Sequence, residues 1–305
     1  MRKKMNKCTL FALLGLFALI SPIIAQDEEV KLSPTTPPLS CLDYFKGTRQ
    51  WTFTGIYTKL GMGENSGMEE SPIGKGVAVE FSRGFANGFG LVLSGSGMGL
   101  NIPMNNPLTD EMEDYPAAAG TASLKLVYDI IKGEKRDIAG EIIEKKPTLA
   151  FFTGYEFTFA NFSMEDYLET GNDLSIKTIT GGVPVGLVAD IPLGFHLSLV
   201  PFGRYISGKT QVETIMPFVI TLPVDPYYIW MPGIPRTTEE SMSRMDYGLD
   251  IDLRPFRNAP DWKISVGTVI SQISGNKDGN LLIMASIKKE WGKHYSSTTF
   301  GPVMH

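Results

Sequence analysis

The sequence alternates between apolar and polar residues with a period of two along most of its length beyond Gly47. This period places the apolar side chains on one face of a β-strand and the polar side chains on the other. Helical periodicity is scarce, so the pattern predicts an all-β fold. The alternation is clearest in 244–254, where charged residues and one glycine separate five apolar residues: Met245, Tyr247, Leu249, Ile251 and Leu253.

Ten stretches of this kind are bounded by Gly, Pro, Asn or Asp, the residues that favour turns. Several are longer than the strands of soluble sheets, which usually have about five or six residues. The ten predicted strands are 50–58, 76–83, 89–94, 122–131, 149–160, 176–189, 195–205, 244–254, 263–273 and 280–291.

The joints between these strands alternate in length. An up-and-down meander of ten strands would place the short joints and both termini on one side, as in an antiparallel transmembrane β-barrel. A closed barrel can lie in lipid because every backbone N–H and C=O is paired. The joint 132–147 is too long for the short set and has room for a helix. The short joints are near 85–88, 190–194 and 255–261, and the long ones are 59–75, 99–118, 160–175 and 207–243.

Residues 1–25 have the layout of a secretory signal peptide, with a basic start, an apolar run over 9–25 and small Ala25 at its end. An uncleaved membrane anchor is the alternative. Cleavage would leave 24 basic and 33 acidic residues, a formal net charge of −9. It would also leave Cys41 alone, which excludes an internal disulfide. Residues 26–46, rich in Pro, Thr and acids, are predicted to form an extended periplasmic lead-in.

The composition excludes several classes of protein. Hydrophobic residues make up 43% and charged residues 20%, which is typical of a folded chain and excludes wholesale disorder. One stretch alone approaches the ~18–20 apolar residues of a spanning helix, so a polytopic helical membrane protein is excluded. The formal net charge of −5 argues against nucleic acid as a partner. Three His and two Cys leave little for a metal site, and no cofactor is expected.

The signal segment, the glycine- and aromatic-containing strands and the hairpins 183–206 and 247–273 together resemble the small bacterial outer-membrane β-barrel proteins. The likeness covers residues 47–292. It implies a location in the outer membrane, contact with its lipid, assembly by barrel-insertion machinery, and a non-enzymatic role as a narrow transport channel or a structural surface protein. A small solute or a surface partner is the implied ligand. Such barrels often end on an aromatic residue, whereas this chain continues beyond Trp291 into a tail, 293–305.

The two faces of the predicted strands carry different residues. Aromatic residues near strand ends suit the interfacial girdles of a membrane barrel: Trp51, Phe85, Phe89, Tyr205, Trp262 and Trp291. The polar faces are mostly Gly, Ser and Thr with scattered charges of both signs, and they are predicted to line the barrel interior with a ladder of ion pairs. The predicted members are Glu80, Lys125, Asp129, Glu156, His196, Arg204, Arg244, Asp246, Asp250, Asp252, Arg254, Lys288 and Glu290.

Two other functions stay open. Asp250 and Asp252 share a face, and His196 is the one histidine in a predicted strand, so a barrel enzyme acting on envelope lipid or peptide at the outer rim is one alternative. A secreted soluble β-sandwich that binds a ligand is the other. The string 203–210 formally matches a phosphate-binding loop, but the β-branched residues and the proline that follow it do not predict the helix such a loop requires.

The long joint 207–243 is unusually apolar for an exposed connection. Its prolines prevent a long helix, and an exposed apolar surface usually marks a contact site. The residues predicted to form this surface are Phe218, Tyr227, Tyr228 and Trp230. They are expected to plug the mouth of the barrel, to lie on the lipid headgroups, or to dock a partner.

Overall fold

The computed structural model describes residues 47–59, 72–86, 88–106, 111–136, 141–164, 173–194, 196–215, 218–221, 228–231, 233–256, 259–273, 279–292 and 294–295. The predicted signal peptide, the lead-in with Cys41, and all but two residues of the predicted tail lie outside this part of the chain. In the described residues, ten long strands form one closed barrel and five short strands form two small sheets. No helix in this part of the chain is long and apolar enough to cross a membrane.

The strands are numbered in chain order. The barrel strands are β1 (Arg49–Lys59), β2 (Ile73–Ala86), β3 (Phe89–Asn106), β4 (Glu111–Ile131), β7 (Thr148–Met164), β8 (Leu174–Pro192), β9 (Leu197–Ile215), β12 (Arg236–Leu253), β13 (Trp262–Ile273) and β14 (Asn280–Trp291). The short strands are β5 (Glu134–Arg136), β6 (Glu141–Lys145), β10 (Phe218–Thr221), β11 (Tyr228–Met231) and β15 (His294–Tyr295). Each of the ten predicted strands overlaps one barrel strand.

The barrel is an antiparallel up-and-down meander. Its order, β1-β14-β13-β12-β9-β8-β7-β4-β3-β2, follows the chain once the short strands are set aside. The first and last barrel strands close the ring, pairing from Arg49↔Trp291 to Lys59↔Leu281. Closure removes the free sheet edges, whose backbone N–H and C=O groups would find no hydrogen-bond partner in hydrocarbon. The prediction of a transmembrane barrel of about ten strands is therefore confirmed.

Two details of the prediction are wrong. The joint 132–147 contains no helix in its described residues; β5 and β6 pair there, and β15 joins them in a three-stranded sheet. The adjacent β-branched residues Ile142 and Ile143 favour a strand, and Ile142 is buried. The joint 99–118 is mostly strand, because β3 and β4 stay paired up to Asn106↔Glu111.

The barrel wall is taller on one side than on the other. Strands β13, β14, β1 and β2 have 12, 12, 11 and 14 residues. At about 3.3 Å per residue and a tilt of about 40°, 12 residues rise about 30 Å, the thickness of the hydrocarbon layer. The other six strands have 17 to 21 residues and extend beyond this height on the side of the long joints. The mouth of the barrel is therefore asymmetric.

The wall has a buried inner face and an apolar outer face. In β12, Leu249 and Ile251 point outward and are 40% and 41% exposed, whereas Asp250 and Asp252 between them point inward and are buried. Each of the ten barrel strands has exposed apolar side chains of this kind on its outer face. An antiparallel barrel with an apolar outer band is the architecture of outer-membrane proteins, so the predicted location is confirmed on this basis.

Aromatic side chains ring the end of the barrel that carries the short joints. Phe89 packs against Tyr128 with ring centroids 4.7 Å apart. The Nζ atom of Lys289 lies 4.6 Å from the ring centroid of Trp262 and 5.8 Å from that of Trp291. Such a ring of aromatic and basic residues is typical of a membrane–water interface, where apolar rings and polar groups meet. All six predicted girdle residues are exposed, but Tyr205 lies in the middle of β9 and not near a strand end.

We predict that Leu249→Arg lowers the free energy of unfolding by ~2–4 kcal/mol, because the charge would enter the hydrocarbon. The matched control is Gln211→Arg, also on the outer face. It lies next to the exposed ion pair of Lys209 and Glu239, 3.2 Å apart, where the wall faces water. The control should change stability by less than about 0.5 kcal/mol. Urea unfolding in lipid vesicles measures the free energy of unfolding of both variants. An equal loss of stability in the two would contradict the assignment of the outer face to lipid.

Candidate functional site

Twelve of the thirteen side chains predicted for the interior ladder are buried inside the barrel. They come from six barrel strands, β2, β4, β7, β9, β12 and β14, and from Arg254 just after β12, and they meet across the lumen, the interior of the barrel. Their ion pairs form two clusters, one in the middle of the barrel and one near the short joints. The twelve are Glu80, Lys125, Asp129, Glu156, Arg204, Arg244, Asp246, Asp250, Asp252, Arg254, Lys288 and Glu290.

The central cluster joins two arginines to two carboxylates. Arg204 donates to Asp246 at 2.7 Å through Nε and to Glu156 at 3.2 Å through Nη1. Arg244 contacts the same two carboxylates, Glu156 through Nη2 and Asp246 through Nε at 3.2 Å. The hydroxyl of Ser271 donates to Asp246 at 2.5 Å. The contacts link β7, β9, β12 and β13, so they tie together strands that are not neighbours in the wall.

The basal cluster, near the short joints, joins three basic residues to three acidic ones. Lys288 contacts Asp252 at 2.8 Å and Asp250 at 3.5 Å. Lys263 contacts Glu290 at 2.7 Å and Asp252 at 3.6 Å, and Arg254 contacts Glu290 at 3.7 Å. Both clusters have equal numbers of positive and negative groups. Paired charges of this kind avoid the cost of an isolated buried ion.

Lys263 is missing from the prediction although the sequence contained the signal for it. It alternates with Trp262 and Ile264, which point outward, so the same period-two argument places it inside. The sequence also did not indicate which charges pair. Arg204 pairs with Glu156 and Asp246, whereas Asp250 pairs with Lys288, because the stagger of the tilted strands sets which side chains meet.

The prediction for His196 is wrong. It lies in the turn between β8 and β9, exposed, and not inside a strand. Its Nδ1 is 2.8 Å from the carbonyl oxygen of Arg254, and its own carbonyl accepts from the backbone N–H of Arg254. Asp250 lies buried in the lumen beside Lys288. The structure therefore does not bring His196 and Asp250 together as the enzyme hypothesis requires.

Lys125 lies beside the central cluster. Its side chain is fully buried, and Nζ makes no hydrogen bond within the described residues. Glu156 and Glu80 are close enough to interact with its charge, and so is the guanidinium of Arg204. Lys125 thus adds a positive charge to the centre of the lumen without a dedicated ion pair.

Aromatic side chains fill the lumen beside the charges. Phe152 and Phe202 are 1% exposed and belong to one apolar cluster. Each ring lies over a glycine of the adjacent strand: a Cβ added to Gly186 would be 2.5 Å from Cζ of Phe152, and one added to Gly248 would be 2.6 Å from Cε1 of Phe202. These glycines leave the space in which the two rings lie across the barrel.

The predicted contact surface on the joint 207–243 lies largely outside the described side chains. The backbones of β10 and β11 pair from Phe218↔Met231 to Thr221↔Tyr228. Tyr227 lies outside the described residues, and for Phe218, Tyr228 and Trp230 only the backbone is described. Their predicted role stays a prediction. Among the described residues, no group of three or more His, Cys, Asp or Glu side chains could hold a metal ion.

No protein-family model matches the chain. A search of curated proteins also finds no significant match. The chain does match solved structures of β-barrels, at low identity and low TM-score.

Three of these structures come from bacterial proteins. The translocator domain of the autotransporter NalP from Neisseria meningitidis is 12% identical, with 80% of this chain and 88% of that chain covered and a TM-score of 0.41. The outer membrane protein OprG from Pseudomonas aeruginosa is 11% identical, with 82% and 99% covered and a TM-score of 0.40. Ail, the attachment invasion locus protein of Yersinia pestis, is 10% identical, with 81% and 100% covered and a TM-score of 0.31. Values this low carry no argument about activity.

We predict that Arg244→Ala lowers the free energy of unfolding by ~3–5 kcal/mol, because it leaves the carboxylates of Glu156 and Asp246 buried with one arginine between them. Adding Glu156→Gln should restore part of the loss. The control is Lys209→Ala, which breaks an exposed ion pair and should cost less than about 0.5 kcal/mol. A double-mutant cycle of unfolding in vesicles measures the coupling. Strictly additive effects of the two interior changes would show that this pair does not stabilise the barrel.

Proposed function

We propose that the protein is a closed, non-conducting barrel of the bacterial outer membrane with a structural role at the cell surface. The observation that carries this proposal is the filling of the lumen by large side chains of the wall itself. The largest fully buried side chains of the described residues include Arg244, Arg254, Lys125, Phe152 and Phe202, all of which point inward. Open porins, by contrast, enclose a water-filled channel.

The pairing of the charges supports the same conclusion. A selective pore presents charged side chains to the passing ion, often as a ring of one sign. Here the central and basal clusters contain opposite charges in equal numbers. The charged groups of each cluster lie within 3.7 Å of a group of opposite charge. We infer that the predicted interior residues stabilise the closed ring and do not select a solute.

The tall side of the wall supports a role at the surface. Strands β3, β4, β7, β8, β9 and β12 extend beyond the hydrocarbon thickness, and their outer face there carries charged residues such as Lys177, Lys209 and Glu239. This polar wall is available to a surface partner, while the apolar band below it contacts outer-membrane lipid. Trp291, at the end of the last barrel strand, is the aromatic residue we propose for recognition by the insertion machinery.

We expect the wild-type protein to show no conductance steps in a planar lipid bilayer. Combining Phe152→Ala, Phe202→Ala and Arg204→Ala should open the lumen and produce steps, because three side chains that cross it are removed. The matched control combines Phe151→Ala and Tyr205→Ala, which lie on the same two strands but point outward; it should stay silent. Regular conductance in the wild-type protein would show that the barrel is a channel.

A second experiment separates the wall from the long joint. Deleting residues 216–235, which include Phe218, Tyr227, Tyr228 and Trp230, should leave the barrel silent, because the side chains that fill the lumen belong to the wall. Heat-dependent mobility on an SDS gel would verify that the deleted protein still closes. Conductance after this deletion would show instead that the joint plugs the mouth, and lost binding to lipid vesicles would identify it as a headgroup contact.

A further inference from the structure

On the tall side of the barrel, the ladder between β4 and β7 ends before the two strands do, and we call this place the split. The two strands pair from Ile131↔Leu149 up to Ala117↔Phe162. Beyond that point β4 continues to Glu111 paired with β3, and β7 continues to Met164 paired with β8. Within the described residues, no ladder pair joins β4 and β7 above Ala117. Pro116 is the next residue of β4, and its lack of a backbone N–H ends the ladder there.

A groove of about 520 Å³ lies at this split. Its lining is both apolar and polar, because small apolar residues of β4 face an amide and a hydroxyl of β7. The residues are Tyr115, Pro116, Ala117, Ala118, Asn161 and Ser163. Such a lining suits an amphiphile, whose chain and head need different surroundings.

The groove continues from the lipid-facing surface. Going up the outer face of β7, the exposed residues change from Phe157 and Phe159 to Asn161, and half-buried Ser163 follows. This change from aromatic to polar side chains marks the membrane interface. A molecule in the groove would therefore have its chain next to the bilayer and its head among polar groups.

The inner side of the split is apolar, in contrast to the charged lumen below it. Ile102, Phe162, Met164 and Leu174 point inward on β3, β7 and β8 and are buried in one cluster. The interiors of membrane barrels are usually polar, so a buried apolar patch at the mouth is compatible with an apolar molecule next to it. An alkyl chain that passed through the split would contact these residues.

Tyr115 separates the groove from this apolar patch. Its ring packs edge-on against Phe162, with 6.4 Å between centroids, and so bridges the two strands where their backbones are unpaired. Its hydroxyl donates to Glu113 at 2.7 Å. The acidic pair Glu113 and Asp114 at the edge of the groove disfavours an anionic head.

We propose that the split between β4 and β7 is a lateral binding site for the alkyl chain of an uncharged, hydroxyl-bearing single-chain amphiphile from the membrane. Asn161 and Ser163 hydrogen-bond the head, the small residues of β4 accommodate the chain, and the ring of Tyr115 covers the inner side of the site. The proposal goes beyond the closed barrel proposed above, because a lumen blocked in its middle and near the short joints leaves this site at the mouth intact.

The test uses an 18-carbon monoacylglycerol that bears a photoreactive diazirine, with the full-length protein in lipid nanodiscs. Pro116→Cys and Ser163→Cys place two cysteines at the register that would continue the ladder, in a background with Cys8→Ser and Cys41→Ser, so oxidation closes the split. The control staple is Ile179→Cys with Gln211→Cys, an outward-facing pair on β8 and β9 whose backbones are already paired.

We expect saturable labelling at the groove residues in the background protein, weaker labelling in the reduced seam variant, which lacks the Ser163 hydroxyl, and at least fivefold less again after oxidation of the seam staple. The control staple should leave the labelling unchanged. The reduced form of the same protein serves as its own check of folding. The corresponding fatty acid should label the groove more weakly. Tyr115→Ala should extend the labelling to inward-facing Ile102, whereas Tyr115→Phe should not. Labelling spread evenly over the apolar band, or unchanged by the seam staple, would overturn the proposal, and neither result depends on conductance.

Discussion

The pairing of every backbone N–H and C=O in the hydrocarbon is the constraint on which the rest of this structure depends. The short strands β13, β14, β1 and β2 have just the length needed to cross the layer, and the pairing of β1 with β14 closes the ring. Closure then divides the side chains into an outer set that contacts lipid and an inner set that contacts only other side chains. Outside the hydrocarbon the constraint is relaxed, and that is where the wall becomes uneven and where the ladder between β4 and β7 ends.

A ring of ten strands encloses a narrow lumen, and its contents decide whether it conducts. Here glycines admit Phe152 and Phe202, and the remaining space holds charges that neutralise one another. The ion pairs of Glu156 with Arg204 and Arg244 link β7 to β9 and β12, so they also hold the curvature of the wall. A buried charge is tolerated because its partners are fixed by strands that the ladder already holds in register. The same contacts that support closure therefore also fill the path that a solute would follow.

The period-two pattern predicted much of this from the sequence. It located all ten barrel strands, and it separated outward residues such as Leu249 from inward ones such as Asp250. It failed where periodicity is weak. The joint 132–147 contains adjacent isoleucines that pair as a strand, and His196 lies in a turn just before β9 begins. Lys263 was within reach of the same argument, since its two neighbours are outward-facing apolar residues.

The sequence by itself determined the fold class, the lipid-facing surface and the identity of most interior side chains, because alternation is a local property read along one strand. The tertiary structure decided which charges pair, that Phe152 and Phe202 lie over glycines of the next strand, and that the ladder between β4 and β7 ends before Pro116. These features depend on the tilt and stagger of strands that are distant in the chain. If one strand shifts by two residues along its neighbour, each side chain stays on the same face of the wall but meets a different cross-strand partner. A single strand contains no information about that shift.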